Sequence, residues 1–221
     1  MKTLLYIICS KKVKNSFILL FLLFIFIFVS AFSYADAACR DISESVFRLH
    51  VIANSDSFED QNLKYKVRDN LIDYMNNLCI NTTSKDQAIQ IANEHINDFI
   101  SIAENTIKEN GFDYKVSIEI DNFYFPKKDY GDITLPEGMY DALKVKIGKA
   151  EGQNWWCVMF PPLCFVNISS GIVPDDSKEL LKENLTDDEY SIITKENSSQ
   201  IKFKIGIIEW FKNNDTLTAK K

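Results

Sequence analysis

The sequence predicts an α+β fold: two helices packed on a mostly antiparallel sheet, preceded by an N-terminal signal or transmembrane helix. Three observations carry this. Phe17–Val29 is an unbroken run of Phe, Leu, Ile and Val inside a charge-free stretch, Ser16–Ala35. Two segments between residues 60 and 109 repeat their apolar residues at helical spacing, and several shorter ones alternate apolar with polar. The order β-α-α-β-β-β is that of helices laid on one sheet.

The N-terminus comes first because it sets the compartment. Lys2, Lys11, Lys12 and Lys14 precede the apolar run, as in the basic region of a secretory signal or a positive-inside anchor. Small residues at Ser33 and Ala35, and at Ala35 and Ala37, suit signal peptidase. About 20 apolar residues also span a bilayer, so residues 1–37 are expected to be a signal peptide or a membrane anchor. The competing account, a buried core helix, conflicts with the rarity of such charge-free runs in soluble domains. Asp36 occupies a position where lipoprotein signals carry an aliphatic residue, so Cys39 is not expected to be lipidated.

The chain has 25 Lys+Arg against 31 Asp+Glu, a net charge of −6. Four of those lysines precede Ser16 and no acid lies before Asp36, so the remainder carries 21 basic and 31 acidic residues, a net −10. Such a surface repels nucleic acid phosphates and anionic head groups. No nucleic-acid partner is expected. With no internal repeat and no Pro- or Gly-rich linker, residues 38–212 read as one exported domain, and 213–221 as a flexible tail.

The elements follow in order. Val46–Ala53 is rich in branched apolar residues and ends at Asn54-Ser55-Asp56-Ser57, a strand running into a polar turn. From about Asp60, Leu63, Val67, Leu71, Met75 and Leu78 recur at helical spacing. A second helix is predicted over Lys85–Glu109, with Ser84 as N-cap, Gly111 as stop and His95 on its apolar side. Tyr114–Phe125 alternates Val116, Ile118 and Ile120 with Ser117, Glu119 and Asp121. Leu143, Val145 and Ile147 alternate with Lys144, Lys146 and Gly148 and, through Gly152-Gln153-Asn154, lead to Trp155–Phe160; these two stretches read as a hairpin. Thr186-Asp187-Asp188-Glu189 is a capping box for a short helix through about Thr194. Ile201–Phe211 alternates and then loses its period, a last strand that turns helical near Glu209.

The motifs of serine hydrolases, zincins, P-loop proteins and dinucleotide-binding folds are missing from the sequence. No catalytic residue, cofactor or metal is predicted. Arg48 and His50 alternate along the first strand and face one side, and with Asn54 and Asp56 they form either a polar site or a capped turn. Cys157 and Cys164 close an eight-residue loop that holds Pro161-Pro162. The two sulfurs read as a disulfide, as buried thiols or as metal ligands; an export compartment favours the first, and no spacing completes a zinc set. Adjacent Trp155 and Trp156 point to opposite faces of a strand, so one can enter the core and the other can meet a partner beside the Phe160-Pro161-Pro162 corner.

Two segments, FRLHVIANSDSFEDQNLKYKVRDNLI (Phe47–Ile72) and GMYDALKVKIGKAEGQNWWCVMFPPLCF (Gly138–Phe165), resemble the stage II sporulation protein R family of endospore-forming bacteria over roughly Val46 to Phe165. The C-terminal third carries no motif of it. The resemblance implies a non-enzymatic signal exported by the secretion machinery and signal peptidase from the forespore. In the space between forespore and mother cell it would activate a membrane-embedded aspartic protease, which removes the pro-sequence of an early mother-cell sigma factor. Trp155, Trp156, Phe160, Pro161, Pro162, Arg48, His50, Asn54 and Asp56 are the candidate partner-binding residues. Two other classes fit the residues alone: an extracytoplasmic thiol hydrolase using Cys157 or Cys164, and an anchored structural protein of the envelope.

Overall fold

The computed structural model describes residues 11–164 and 173–194. The predicted final strand at Ile201–Phe211 and the tail lie outside the described residues. The chain divides into two compact units, Met1–Ala38 with Ser199–Lys221, and Cys39–Ser198.

Helix α1 (Lys11–Glu44) supplies the described part of the first unit. Its large side chains from Phe17 to Val29 are exposed. It is long and apolar enough to cross a membrane, compatible with export or with anchoring.

The second unit holds a four-stranded mixed sheet in the order β2-β5-β1-β6, from β1 (Phe47–Ile52), β2 (Val116–Phe125), β5 (Gly138–Ile147) and β6 (Asn154–Phe160). β1 pairs in parallel with β5, while β1–β6 and β2–β5 are antiparallel. A separate two-stranded ribbon, β3 (Lys128–Tyr130) and β4 (Ile133–Leu135), follows β2. Helices α2 (Phe58–Leu78), α3 (Lys85–Glu94) and α4 (Ile96–Glu109) lie between β1 and β2, and α5 (Asp175–Asn184) and α6 (Asp187–Ile193) follow β6.

The layering follows from side-chain period. Leu49 and Val51 of β1 and Leu143 and Val145 of β5 are fully buried, in one core with Leu63, Val67 and Leu71 of α2 and Phe99, Ala103 and Ile107 of α4. Each such burial stabilises by about 1.5–3 kcal/mol. Ser57, Ser84 and Thr186 cap α2, α3 and α6 through side-chain oxygens, and at Thr186 the predicted capping box is complete. Gly111, at φ +83°, ends α4 in the left-handed region, where glycine carries no Cβ penalty.

Three expectations are corrected. β5 and β6 are not a hairpin, because β1 lies between them. β1 is buried on both faces, Arg48 and His50 included, and takes the centre of the sheet, leaving the partner strands to its two sides. The predicted helix over Lys85–Glu109 breaks at His95, whose backbone sits at φ −105°, ψ 17°. Asp98 and Phe99 there donate backbone N–H to the His95 carbonyl, restarting the chain as α4. His95 is consequently not a core residue: its half-exposed ring bonds Asp98 Oδ2 at 2.8 Å and Tyr74 Oη at 3.1 Å. The third correction is one of omission, since the β3–β4 ribbon and α5 are additional to the predicted elements.

Candidate functional site

Alternation along β1 sends Phe47, Leu49 and Val51 to the helices and Arg48 and His50 to the opposite face of the sheet. On that second face, His50 lies across from Lys144 of β5 and Trp156 of β6, and Glu119 of β2 lies beyond Lys144.

Arg48 is fully buried. Its guanidinium lies 4.1 Å from the Phe125 ring centre and 4.6 Å from that of Tyr140. Nη2 donates to the Tyr130 hydroxyl at 2.5 Å, and that hydroxyl donates to the Trp156 carbonyl at 3.3 Å. Among the described residues, Nε and Nη1 have no hydrogen-bond partner and are buried. A guanidinium stays charged at any physiological pH, and a buried charge ordinarily takes an acid. Here two ring faces and one hydroxyl take its place; cation–π contacts contribute about 2 kcal/mol when desolvated. The Arg48 charge holds the Tyr130 and Tyr140 hydroxyls back only partly, for burial pushes both pKa values up.

His50 is 6% exposed and stacks on Trp156 with ring centres 3.7 Å apart. Nε2 hydrogen-bonds Asn154 Oδ1 at 2.8 Å, and Nδ1 is buried with no partner among the described residues. Burial, aided by the positive charges of Lys144, Lys146 and Arg48, lowers the imidazole to about 4. It is neutral at pH 7. Lys146 Nζ lies 2.8 Å and Lys144 Nζ 3.8 Å from Glu119 Oε1, and Lys144 also sits 4.3 Å from the Phe123 ring centre.

Trp155 and Trp156 do take opposite faces. Trp155 lies on the helix side, edge-on to Tyr65 and 4.1 Å beneath the Arg68 guanidinium. Both tryptophans are half-buried. Phe160 and Pro161 are buried and present no apolar corner; Phe160 pairs with Phe47 on β1. Pro162, half-buried, lines a cleft of about 450 Å³ with Cys79, Ile80, Met159 and Phe160. The Cys157 and Cys164 sulfurs are bonded, with Cα atoms 5.3 Å apart, and a bonded pair offers no thiolate for attack.

Asn54 and Asp56 do not join Arg48 and His50. Asn54 Oδ1 accepts the Lys149 N–H at 3.0 Å, and Asp56 Oδ1 accepts the Gln153 N–H at 2.7 Å. Together they tie the turn after β1 to the turn between β5 and β6. Asp60, buried, anchors the same lock: burial would raise its pKa, but donation from Ser55 Oγ at 2.5 Å and Asn54 Nδ2 at 2.8 Å brings it below the usual carboxylate range. Lys64 closes it, donating to Gln153 O at 3.0 Å and Gln61 Oε1 at 2.6 Å. Gly148 and Gly152 belong to this contact, since a Cβ would stand 2.3 Å from Asn54 Oδ1 and 2.2 Å from Ser55 O respectively. Asn54 and Asp56 are thus the capped turn, with Arg48 and His50 as the separate polar cluster. Phe125, Tyr130 and Tyr140, which frame Arg48, carry no sequence signal of that role, because they reach it from β2, β3 and β5.

Among the described residues no group of three His, Cys, Asp or Glu is placed to hold a metal.

Residues 43–170 match the family described as stage II sporulation protein R (spore_II_R). A 144-residue stretch is 35% identical to stage II sporulation protein R of Bacillus subtilis (strain 168) and covers 64% of each chain. No solved structure matches the chain. By the extent of the matched segment, more than half of its length, the chain belongs to the stage II sporulation protein R family.

Proposed function

We propose that this chain is a non-enzymatic sporulation signal, exported from the forespore into the space between the two cells. There it binds a membrane-embedded aspartic protease of the mother-cell side and favours its active state, so that an early mother-cell sigma factor precursor is processed. The observation that carries the reading is the buried Arg48–His50 cluster, in which Arg48 Nε and Nη1 and His50 Nδ1 have no hydrogen-bond partner among the described residues. Buried polar groups of this kind are uncommon in folded proteins and cluster where something else is bound. Helix α1, long and apolar enough to cross a membrane, is compatible with export or anchoring and so supports the reading.

A ligand activates only by binding the active arrangement of its receptor better than the inactive one. The reading therefore requires direct contact. Deleting the gene should leave the sigma factor precursor unprocessed, and expression in the forespore alone should restore processing. Continued processing in the deletion strain sinks the proposal. Capture of protease-bearing membranes by the full chain tests the contact itself.

A further inference from the structure

The two outer strands of the sheet, β6 and β2, differ at their free edges. At β6 the chain covers its own edge: the Trp156 carbonyl accepts the Tyr130 hydroxyl, and the Val158 carbonyl accepts the Leu163 N–H at 3.2 Å. β2, ten residues long, has no strand on its outer side among the described residues. Its register fixes which groups face out. Lys115 and Gly148 continue the β2–β5 ladder, and the Gly148 N–H donates to the Lys115 carbonyl at 2.8 Å. Ser117, Glu119 and Asp121 therefore turn their N–H and C=O toward β5, while Val116, Ile118, Ile120 and Asn122 turn theirs outward. Asn122 bears this out, since its N–H donates to Asp121 Oδ1 at 2.8 Å. The outward groups of Val116, Ile118 and Ile120 have no partner among the described residues. Side chains of the same three residues form a half-buried apolar row against the core.

We propose that the outer edge of β2 receives an extended segment of the partner protein as a fifth strand. The inference rests on the preceding reading that the chain acts by binding another protein. The edge flanks the face that carries Arg48 and His50, with β5 between. Outward N–H and C=O groups on every second residue match one kind of ligand, a polypeptide in extended conformation. Main-chain hydrogen bonds then supply affinity, and alternate side chains supply register. The added strand lays branched apolar side chains beside Val116, Ile118 and Ile120 and buries the rest of that row. A second copy of this chain fits worse. The antiparallel self-pairings that overlap nearly all of β2 centre on Ile120 or on Asp121. They set Glu119 opposite the other copy's Asp121, or the two Asp121 carboxylates opposite each other. Like charges directly across a strand pair destabilise it, and open edges exclude their own copies in this way. A strand with threonine or lysine at those positions meets no such conflict.

The test uses the full chain and membranes bearing the proposed protease, with backbone amide hydrogen exchange read residue by residue, free and bound. In the free chain Val116, Ile118 and Ile120 should exchange quickly, and Ser117 and Glu119, held to β5, slowly. On binding, the first three should slow by at least about tenfold. Ile118→Pro deletes one outward N–H at a position where an edge strand tolerates proline, and its ring stands where the added strand would lie. This variant should stay folded and capture about tenfold less membrane than wild type. Ile118→Val, which keeps the N–H and the apolar side chain, should capture as wild type does. Capture without new protection of the three amides, or equal capture by Ile118→Pro and wild type, overturns strand addition and leaves the signalling reading standing. Protection of those amides in the free chain, at a doubled mass, makes the occupant a second copy and overturns it too. Should Ile118→Pro unfold, the exchange measurement alone decides. Failure of the wild type to capture the membranes at all overturns both.

Discussion

At the scale of single residues, Arg48 and His50 are unusual for the same reason: each is a polar group buried on a sheet face with part of its hydrogen-bonding capacity unused. For Arg48 the compensation is aromatic, so truncation and replacement should differ. Arg48→Ala opens a cavity among Phe125, Tyr130 and Tyr140 and is expected to cost about 3–5 kcal/mol, whereas Arg48→Met fills the space without a charge and should be near neutral. Urea unfolding of the two variants separates them, and similar large losses would mean that the charge itself holds the sheet. His50 makes stability depend on pH. Its folded pKa of about 4 lies below the ordinary 6.5, so the folded state binds fewer protons than the unfolded one between those values. Stability from this group is therefore present above pH 6.5 and lost as the pH falls through that window. Between pH 7 and pH 5 the loss is about 2 kcal/mol by linkage. His50→Gln should remove that part of the acid sensitivity, seen as a flatter plot of unfolding free energy against pH. An unchanged plot would place the sensitivity in the carboxylates instead.

At the scale of elements, the turn after β1 and the turn between β5 and β6 form one unit held by Asn54, Asp56 and Asp60. The glycines report on it. A Cβ at Gly152 would meet the Ser55 carbonyl oxygen at 2.2 Å, a backbone atom that cannot swing aside, while at Gly111 nothing lies within 4 Å. Gly111→Ala should cost only the positive-φ penalty, about 1 kcal/mol, and Gly152→Ala at least about 2 kcal/mol more, by denaturant titration. Equal costs would mean that the lock yields. At the opposite end of β6 the Cys157–Cys164 bond closes a short loop, and its loss should lower stability by about 2 kcal/mol on the loop-closure account. These elements also show what a sequence discloses. Alternation in Val116–Ile120 and Leu143–Ile147, the capping box at Thr186 and the shared face of Arg48 and His50 were legible because each is a local pattern. The insertion of β1 between β5 and β6 was not, since strand pairing is set by long-range burial and the alternating Arg48 and His50 give FRLHVI the pattern of a strand with one polar face. The Arg48 surroundings were hidden for the same reason, with Phe125, Tyr130 and Tyr140 brought in from three separate strands. His95 misled because helical spacing alone cannot distinguish a core histidine from one that ends a helix against Tyr74 and Asp98.

At the scale of the whole molecule, the apolar N-terminal segment and the folded domain share one helix, α1. The compact unit begins at Cys39, inside α1, and Ile42 of the last turns of that helix is fully buried in the same core as Leu49 and Leu71. The C-terminal end of α1 is therefore domain structure whatever becomes of the apolar run before it. Signal peptidase sites after Ala35 or Ala37 would release a chain that keeps Ile42, so cleavage and an intact core are compatible. A chain that starts at Cys39 should unfold at nearly the same urea concentration as the exported form. One that starts at Val46 loses the Ile42 side chain and should be less stable by about 2 kcal/mol, the burial of one isoleucine. N-terminal sequencing of the exported protein belongs with this comparison. A first residue beyond Ile42, together with full stability of the Val46 form, would move the boundary into β1 and make the end of α1 part of the discarded leader.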